Sequence, residues 1–403
     1  MAQIKVGIVG AGLTGLVAAK ELSSKGIAVA VYEKLDVPGG RMRTENVDDW
    51  KLDVGFQVLL TAYPYLQKHI DLDLLNLHKL EAAATIFRSG KTTAVGDPFR
   101  TKNILWATVF SDIGSVKDKY LIFKLKRFVD RHSIDEIFEL ENMTSIKFLE
   151  KFGFSERILD RFFKPFFGGI FLERELTTSS RMLLFVFKMF SEGNAAIPQG
   201  GIGELASKLA ASLTEVYFHY NSEVEKIKDE TIYLKEGSQE SFDYVINTIP
   251  NYNNRSDKSL WQDCFCFYFE HPSPRIIDTA RIGLNANPNR YINNIFYPSS
   301  LEKPSAKEGR ELISVTVLNS NGLTKNELIK RVEAELNADF GIDAMNLIKF
   351  YHIPYALPKN EALKNTISFD KNTKTFEVGD FLMNGSQNAA CKVGELIAAH
   401  VLN

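Results

Sequence analysis

The sequence predicts an α/β protein: a doubly wound, Rossmann-like unit that starts on a GxGxxG turn, with an α+β unit inserted into it. Three observations lead there. The chain opens on "KVGIVGAGLTGLVAAKELSSKGIAVAVYEK", Lys5 to Lys34, in which two short apolar runs flank a glycine-rich turn and a helix-forming stretch. Further bounded apolar runs, "VYFHY", "EVEKI", "TIYLK" and "YVINTIP", follow far downstream. The chain closes on "FEVGDFLMNGSQNAACKVGELIAAHVL", a strand, a loop and a helix. Apolar runs bounded by turn residues suit buried parallel strands, and a helix between two of them makes a βαβ unit. With 403 residues, 45% of them apolar and 24% charged, the chain is long enough for two or three domain-sized units with a sizeable core.

Taken in order, Ile4 to Val9 forms the first strand, and Gly10, Gly12 and Gly15 follow as GxGxxG. The first glycine permits a tight turn, the second lets main chain approach a pyrophosphate, and the third brings helix against strand. Free N–H groups and the helix dipole then face the anion. Leu13 and Thr14, opening the helix, belong to the same anion site. Glu33 ends the second strand 18 residues past Gly15 (33 − 15), where a carboxylate accepts both ribose hydroxyls and disfavours a 2′-phosphate; Lys34 adjoins it. In "VPGGRMRT", Gly39 and Gly40 allow a second close approach of main chain, and Arg41 brings a fixed cation toward phosphate. "LDVGFQVLLTAYP" sets Gly55, Phe56 and Gln57 in a loop too apolar to be merely solvated.

From Asn103 to Phe190 the pattern is mainly helical, and 12 of the 29 phenylalanines lie between Phe138 and Phe190. Phe56, Phe166 and Phe167 are candidates to line a pocket for a long apolar or polycyclic substrate. The competing reading is helix core, because aromatic stripes are usually packing. Between Trp261 and Tyr355, segments such as "CFCFYFE" and "LISVTVL" alternate and predict an antiparallel sheet. "NYNNRSDKSL" and "PSSLEKPSAKEGR" read as exposed loops.

Gly10, Gly12, Gly15, Glu33, Gly39, Gly40, Arg41, Asp53 and Gly55 together resemble the amino-terminal signature of FAD-dependent oxidoreductases of the amine oxidase, phytoene desaturase and protoporphyrinogen oxidase superfamily. "PQGGIGELASKLA", Pro198 to Ala210, resembles the mid-chain motif of that superfamily, and "VGDFLMNGSQNAACKVGELIA" its closing motif. The resemblance implies that main chain at Val224 meets adenine, that Gly379 and Asp380 meet the pyrophosphate and ribityl chain, and that Ser386, Asn388 and Ala389 lie at a helix start beneath the flavin ring. It implies noncovalent FAD, since no cysteine lies between Cys266 and Cys391 to tether it. It implies a discontinuous FAD-binding domain at 1–65, 196–255 and 356–403, with a substrate domain at 66–195 and 256–355. Ser386 stands where amine oxidases carry an aromatic cage residue, so the expected substrate is an apolar small molecule that gives hydride to the flavin. An amine oxidase, a protoporphyrinogen oxidase-like enzyme and a redox-silent FAD-binding protein are the alternatives. No catalytic side chain is singled out.

Forty-eight Lys plus Arg against 50 Asp plus Glu leave a net charge of −2, which gives no field for nucleic acid. Three cysteines make no disulfide framework, and no HExxH, CxxC pair or GxSxG occurs, so no metal site is expected. Only Met1 to Gln3 precede the first strand, and no apolar run approaches the length of a membrane span. A cytoplasmic protein is expected, with peripheral membrane contact open.

Overall fold

A computed structural model describes residues 4–96, 113–249, 260–301, 309–359 and 363–403. Five parallel strands form one sheet in the spatial order Val216–His219, Ala28–Tyr32, Lys5–Val9, Tyr244–Asn247 and Thr375–Glu377. The chain thus runs outward from its first strand in one direction, then returns to extend the sheet in the other, as a doubly wound sheet does. Val6, Ile8, Val29 and Val31 are at most 1% exposed beneath the helices, and on the other face Val9, Ala30 and Tyr32 pack with Val224, Ile232 and Leu234, so these runs have no polar face. Of the four downstream runs, the first and last enter this sheet. Val224–Lys228 and Thr231–Leu234 form a small antiparallel sheet with Gln239–Ser241 instead.

A second sheet of seven strands runs in the order Asn346–Pro358, Trp261–Pro272, Arg310–Val317, Ile292–Phe296, Ile282–Asn285, Ala83–Arg88 and Lys91–Gly96. It is antiparallel as expected except where Ile282–Asn285 pairs parallel with Ala83–Arg88, a strand of an upstream hairpin that shows no strong alternation in sequence. Both faces are covered. Phe265, Phe267 and Phe269 pack with Leu328, Val332 and Leu336 of the helix Lys325–Phe340, while Cys266 and Tyr268 pack with Trp50 and Leu52. That helix interrupts the strand series, bounded by a Thr324–Glu327 capping box and by Gly341 in the left-handed region at φ 69°.

Helices dominate residues 116–192, and the predicted helical start at 103–112 lies outside the described residues, as do 302–308 and most of "NYNNRSDKSL". Leu159–Phe163 is a π-type turn leading into the helix Lys164–Phe171. Pro165 has no N–H to return to the carbonyl four residues back, and a widened turn relieves that loss.

Candidate functional site

The site assembles where the first strand meets the first helix. Gly10 takes φ +100°, and its N–H donates to the Tyr32 carbonyl at 2.8 Å. A Cβ on Gly15 would lie 2.1 Å from the Gly10 carbonyl oxygen, so only glycine lets the helix Leu13–Ser23 come this close to its strand. Gly12 differs: a Cβ there would meet nothing within 4 Å. The helix that follows Gly12 has no side-chain cap and no acid in its first turn, and its first two residues, Leu13 and Thr14, are buried. An uncapped helix end beside an open glycine is a cradle for an anion.

Gly39 and Gly40 close over this turn. The Gly39 N–H donates to the Ala11 carbonyl at 2.8 Å, and a Cβ on Gly40, at φ +60°, would stand 3.7 Å from the Gly12 Cα. Glu33 is 6% exposed, and its carboxylate accepts the N–H of Ala11 at 2.9 Å and of Leu35 at 3.1 Å. The acid at the end of the second strand therefore holds the glycine turn directly, and each oxygen keeps a further lone pair. Lys34 beside it is exposed. Val224 is buried against Val9, Ala30 and Tyr32.

Arg41 links the two ends of the chain. Its guanidinium pairs with the buried Asp380 carboxylate, donates to the Ala356 carbonyl at 3.3 Å and lies 5.7 Å from the Trp261 ring centre. Gln57 donates to the carbonyls of Arg41 and Val54, at 2.8 and 3.3 Å, fixing the loop that carries Gly55 at φ +91°. Phe56 packs its ring 5.0 Å from that of Phe296. In the closing segment Gly379 is extended, and the Asp380 carbonyl accepts the Gly385 N–H at 3.0 Å. Ser386 caps the helix Gln387–Leu402, its hydroxyl accepting from the Ala389 N–H at 3.0 Å and donating to Asn384 at 2.6 Å. Asn388 accepts the Tyr65 N–H at 2.9 Å. Gly394 lets this helix lie against the first, since a Cβ there would stand 2.6 Å from the Thr14 carbonyl oxygen.

Phe166 and Phe167 lie on the helix Lys164–Phe171, whose Pro165 carbonyl accepts from Asn293 of the strand that carries Phe296. Phe167 has no exposed surface and is enclosed by Phe163, Phe166 and Phe171, so it packs the core; Phe166 stays partly exposed, its ring stacked 5.4 Å from Phe162.

Sequence reasoning passed over several residues that build this region. Thr248 donates to the carbonyls of Val9 and Gly10 at 2.9 and 3.2 Å. Trp261 and Ala356 meet Arg41 only through the fold, so no local signal marks them. The buried Gln387 Oε1 has no hydrogen-bond partner among the described residues, an acceptor left open at the start of the closing helix. Asp53 accepts from the Thr44 hydroxyl at 2.6 Å and the Ile202 N–H at 3.0 Å, tying the hairpin Thr44–Asp53 to the "PQGGIG" turn. Burial nonetheless pushes its carboxyl up to about 6. Burial also pushes the thiols of Cys266 and Cys391 up to about 11 and about 12, which leaves both protonated at neutral pH.

Residues 13–265 match the profile of the family described as flavin containing amine oxidoreductase. The chain belongs to this family. The glycine cradle is in keeping with that membership. Among curated relatives, 4,4'-diapophytoene desaturase (4,4'-diaponeurosporene-forming) of Staphylococcus haemolyticus is 38% identical over 60 residues, 15% of this chain but 12% of the relative. The enzyme of the same name from Staphylococcus aureus strain Newman is 37% identical over 62 residues, again 15% and 12%. The match thus spans a small part of these relatives' length. An oxidoreductase from Methanosarcina mazei superposes with a TM-score of 0.73 at 18% identity, covering 98% of this chain and 100% of that one. Wild-type putrescine oxidase bound to putrescine gives 0.66 at 17%, covering 100% and 99%; reduced UDP-galactopyranose mutase gives 0.67 at 19%, covering 100% and 94%. At such identities the likeness is one of fold. No helix among the described residues is long and apolar enough to cross a membrane.

Proposed function

We propose that the chain holds FAD noncovalently and oxidises an apolar, isoprenoid-like or polycyclic small molecule by hydride transfer. The observation that carries the FAD reading is the open Gly12 at an uncapped helix end, under Gly40 and beside the buried Glu33. Those residues fit a dinucleotide: main-chain N–H groups for the pyrophosphate, a carboxylate with spare lone pairs for ribose, and the Arg41–Asp380 pair between the opening and closing motifs. Bound FAD supplies a two-electron acceptor at its ring nitrogen N5. The helix Gln387–Leu402, which in this reading begins beneath the flavin ring, turns its positive end toward it.

The FAD unit in this reading comprises 1–65, 196–255 and 356–403, and the substrate unit 66–195 and 256–355. The boundary at 356 falls inside the strand Asn346–Pro358, whose Ala356 carbonyl accepts from Arg41, so one strand end serves both. An apolar substrate is supported by two features. Ser386 is spent on its helix cap and presents no aromatic wall for an amine, and Phe56, just past the Gly55 turn, keeps a partly exposed ring backed by the buried Phe296. The local likeness to diapophytoene desaturases points the same way. The chain's own part is to bind, orient and exclude water.

Acid precipitation should release intact FAD into solution, and anaerobic mixing with an isoprenoid panel should bleach the oxidised flavin band. FMN, or flavin retained on the pellet, overturns the cofactor assignment. Bleaching by benzylamine or spermine alone makes the protein an amine oxidase, and bleaching by no substrate leaves the flavin structural.

A further inference from the structure

The helix Val116–Asp130 turns an apolar stripe outward. Val116, Tyr120 and Phe123 are 84%, 64% and 46% exposed, and their spacing of i, i+4 and i+7 sets them in one line. The opposite face is anchored: Leu121, Leu125 and Val129 are buried in the main core. Asp118 is fully buried, accepting from the N–H and hydroxyl groups of both Ser115 and Ser155. The stripe therefore belongs to a fixed helix and not to a fraying end. Lys119 and Lys126 border it on one side and Lys117 and Lys124 on the other, Arg127 continues its line with the guanidinium 5.7 Å from the Phe123 ring centre, and the one outward carboxylate of the helix, Asp130, is paired by Lys126 at 2.9 Å. In a chain of net charge −2, this concentration of cations is local.

We propose that this face docks flat on an anionic lipid bilayer. Tyr120 and Phe123 enter the boundary between headgroups and acyl chains, and the flanking lysines meet lipid phosphates. A narrow apolar line bordered on both sides by cations is the arrangement that lies in a membrane interface, where aromatic rings leave water and long basic side chains reach headgroups. Each cation near such a surface adds to the attraction. A second copy of the chain fits this face poorly, because two-fold pairing along the stripe would bring one basic flank against the other. Docking here would set the Phe-rich helices 145–190 near the phase in which an apolar molecule dissolves; the docking itself does not depend on what the substrate is.

The test is co-sedimentation of the purified, flavin-loaded chain with vesicles of phosphatidylcholine alone or of equimolar phosphatidylcholine and phosphatidylglycerol. We expect binding to the anionic vesicles to be stronger by on the order of tenfold or more, and to weaken as salt is raised. Tyr120→Ser with Phe123→Ser, and separately Lys117→Gln with Lys119→Gln and Lys124→Gln, should each abolish it while flavin content and melting temperature stay at wild-type values. Equal binding to neutral vesicles, undiminished binding of either variant, or no binding at all overturns the proposal. So does self-association in vesicle-free buffer that Tyr120→Ser with Phe123→Ser removes, since the stripe would then be an interface between copies.

Discussion

The glycine turn of the parallel sheet and the phenylalanine cluster of the helical layer are both tightly packed, but the constraint sits on different atoms. At Gly15 and Gly39 it sits on main chain: a Cβ on Gly15 would meet a carbonyl oxygen at 2.1 Å, and one on Gly39 another, that of Met42, at the same distance. At Phe163, Phe167 and Phe171 it sits on side chains that fill volume, a need that other apolar residues of similar size can meet. A backbone constraint admits one residue type and so writes itself into a single sequence. A packing constraint admits many.

The sharpest way to break that contrast is at neighbouring glycines. Gly15→Ala should fail to accumulate as folded protein or lose about 4 kcal/mol or more, because two main-chain segments must separate. Gly12→Ala, with nothing within 4 Å of the new methyl, should fold and melt near wild type yet purify with little flavin. Thermal melts and visible spectra of both decide it. A Gly15→Ala protein that melts with wild type would remove the distinction between the two glycines.

The same physics explains how much was legible. The doubly wound sheet, the cradle glycines and Glu33 could be read directly, since strand burial and close backbone approach each demand particular residues. The upstream hairpin Ala83–Arg88 and Lys91–Gly96 could not, because it joins the seven-stranded sheet through partners some 200 residues away. Nor could the Arg41 contacts with Trp261, Ala356 and Asp380. These depend on where chain ends meet, which local pattern does not encode. Ser386 was read from what it lacks, an aromatic ring. What it does, capping a helix, required the geometry at Ala389.

Within the helical layer, Phe167→Ala should cost about 3–5 kcal/mol by leaving a cavity in a closed cluster. Phe166→Ala, at a partly exposed ring, should cost less and instead raise KM for apolar substrates. Urea unfolding of both variants, with steady-state kinetics, separates the roles; equal losses of stability and unchanged KM would return both rings to the core.

Glu33→Ala tests whether the acid acts on the cofactor or only on the turn. Losing the carboxylate should weaken flavin binding by about 1.5–3 kcal/mol for each charge-assisted bond to ribose lost, while the loss of the Ala11 and Leu35 N–H bonds falls on the turn. Glu33→Gln, which can keep one acceptor for the turn, should fall between. Titration of the apoprotein with FAD reads the dissociation constants, and identical values for all three proteins would leave Glu33 a strand-end acid.

The smallest effect is expected at the junction of the two regions. Asp53 belongs to the hairpin whose Trp50 and Leu52 pack on the seven-stranded sheet, and its carboxylate reaches the Ile202 N–H, just ahead of the helix Gly203–Ala211 beside the cradle. Burial raises its carboxyl to about 6 from 3.8, even though the bonds from Thr44 and Ile202 favour the ionised form. The folded protein therefore binds this proton more tightly than the unfolded chain, and ionisation works against folding. The contribution is fully present below the unfolded value, declines as pH rises from about 4 to about 6, and is flat above that. Asp53→Asn keeps an oxygen to accept both bonds and has nothing to ionise, so its stability should lack that decline. Relative to the variant, wild type should lose on the order of 1–2 kcal/mol between acidic and neutral pH, the partial exposure of the side chain keeping the figure below the full shift. Urea midpoints of the two proteins across that range provide the measurement. Profiles that run parallel would mean that solvent already reaches the carboxylate, and that the hairpin is held to the cradle by Thr44, whose hydroxyl also accepts the Gly203 N–H at 2.9 Å.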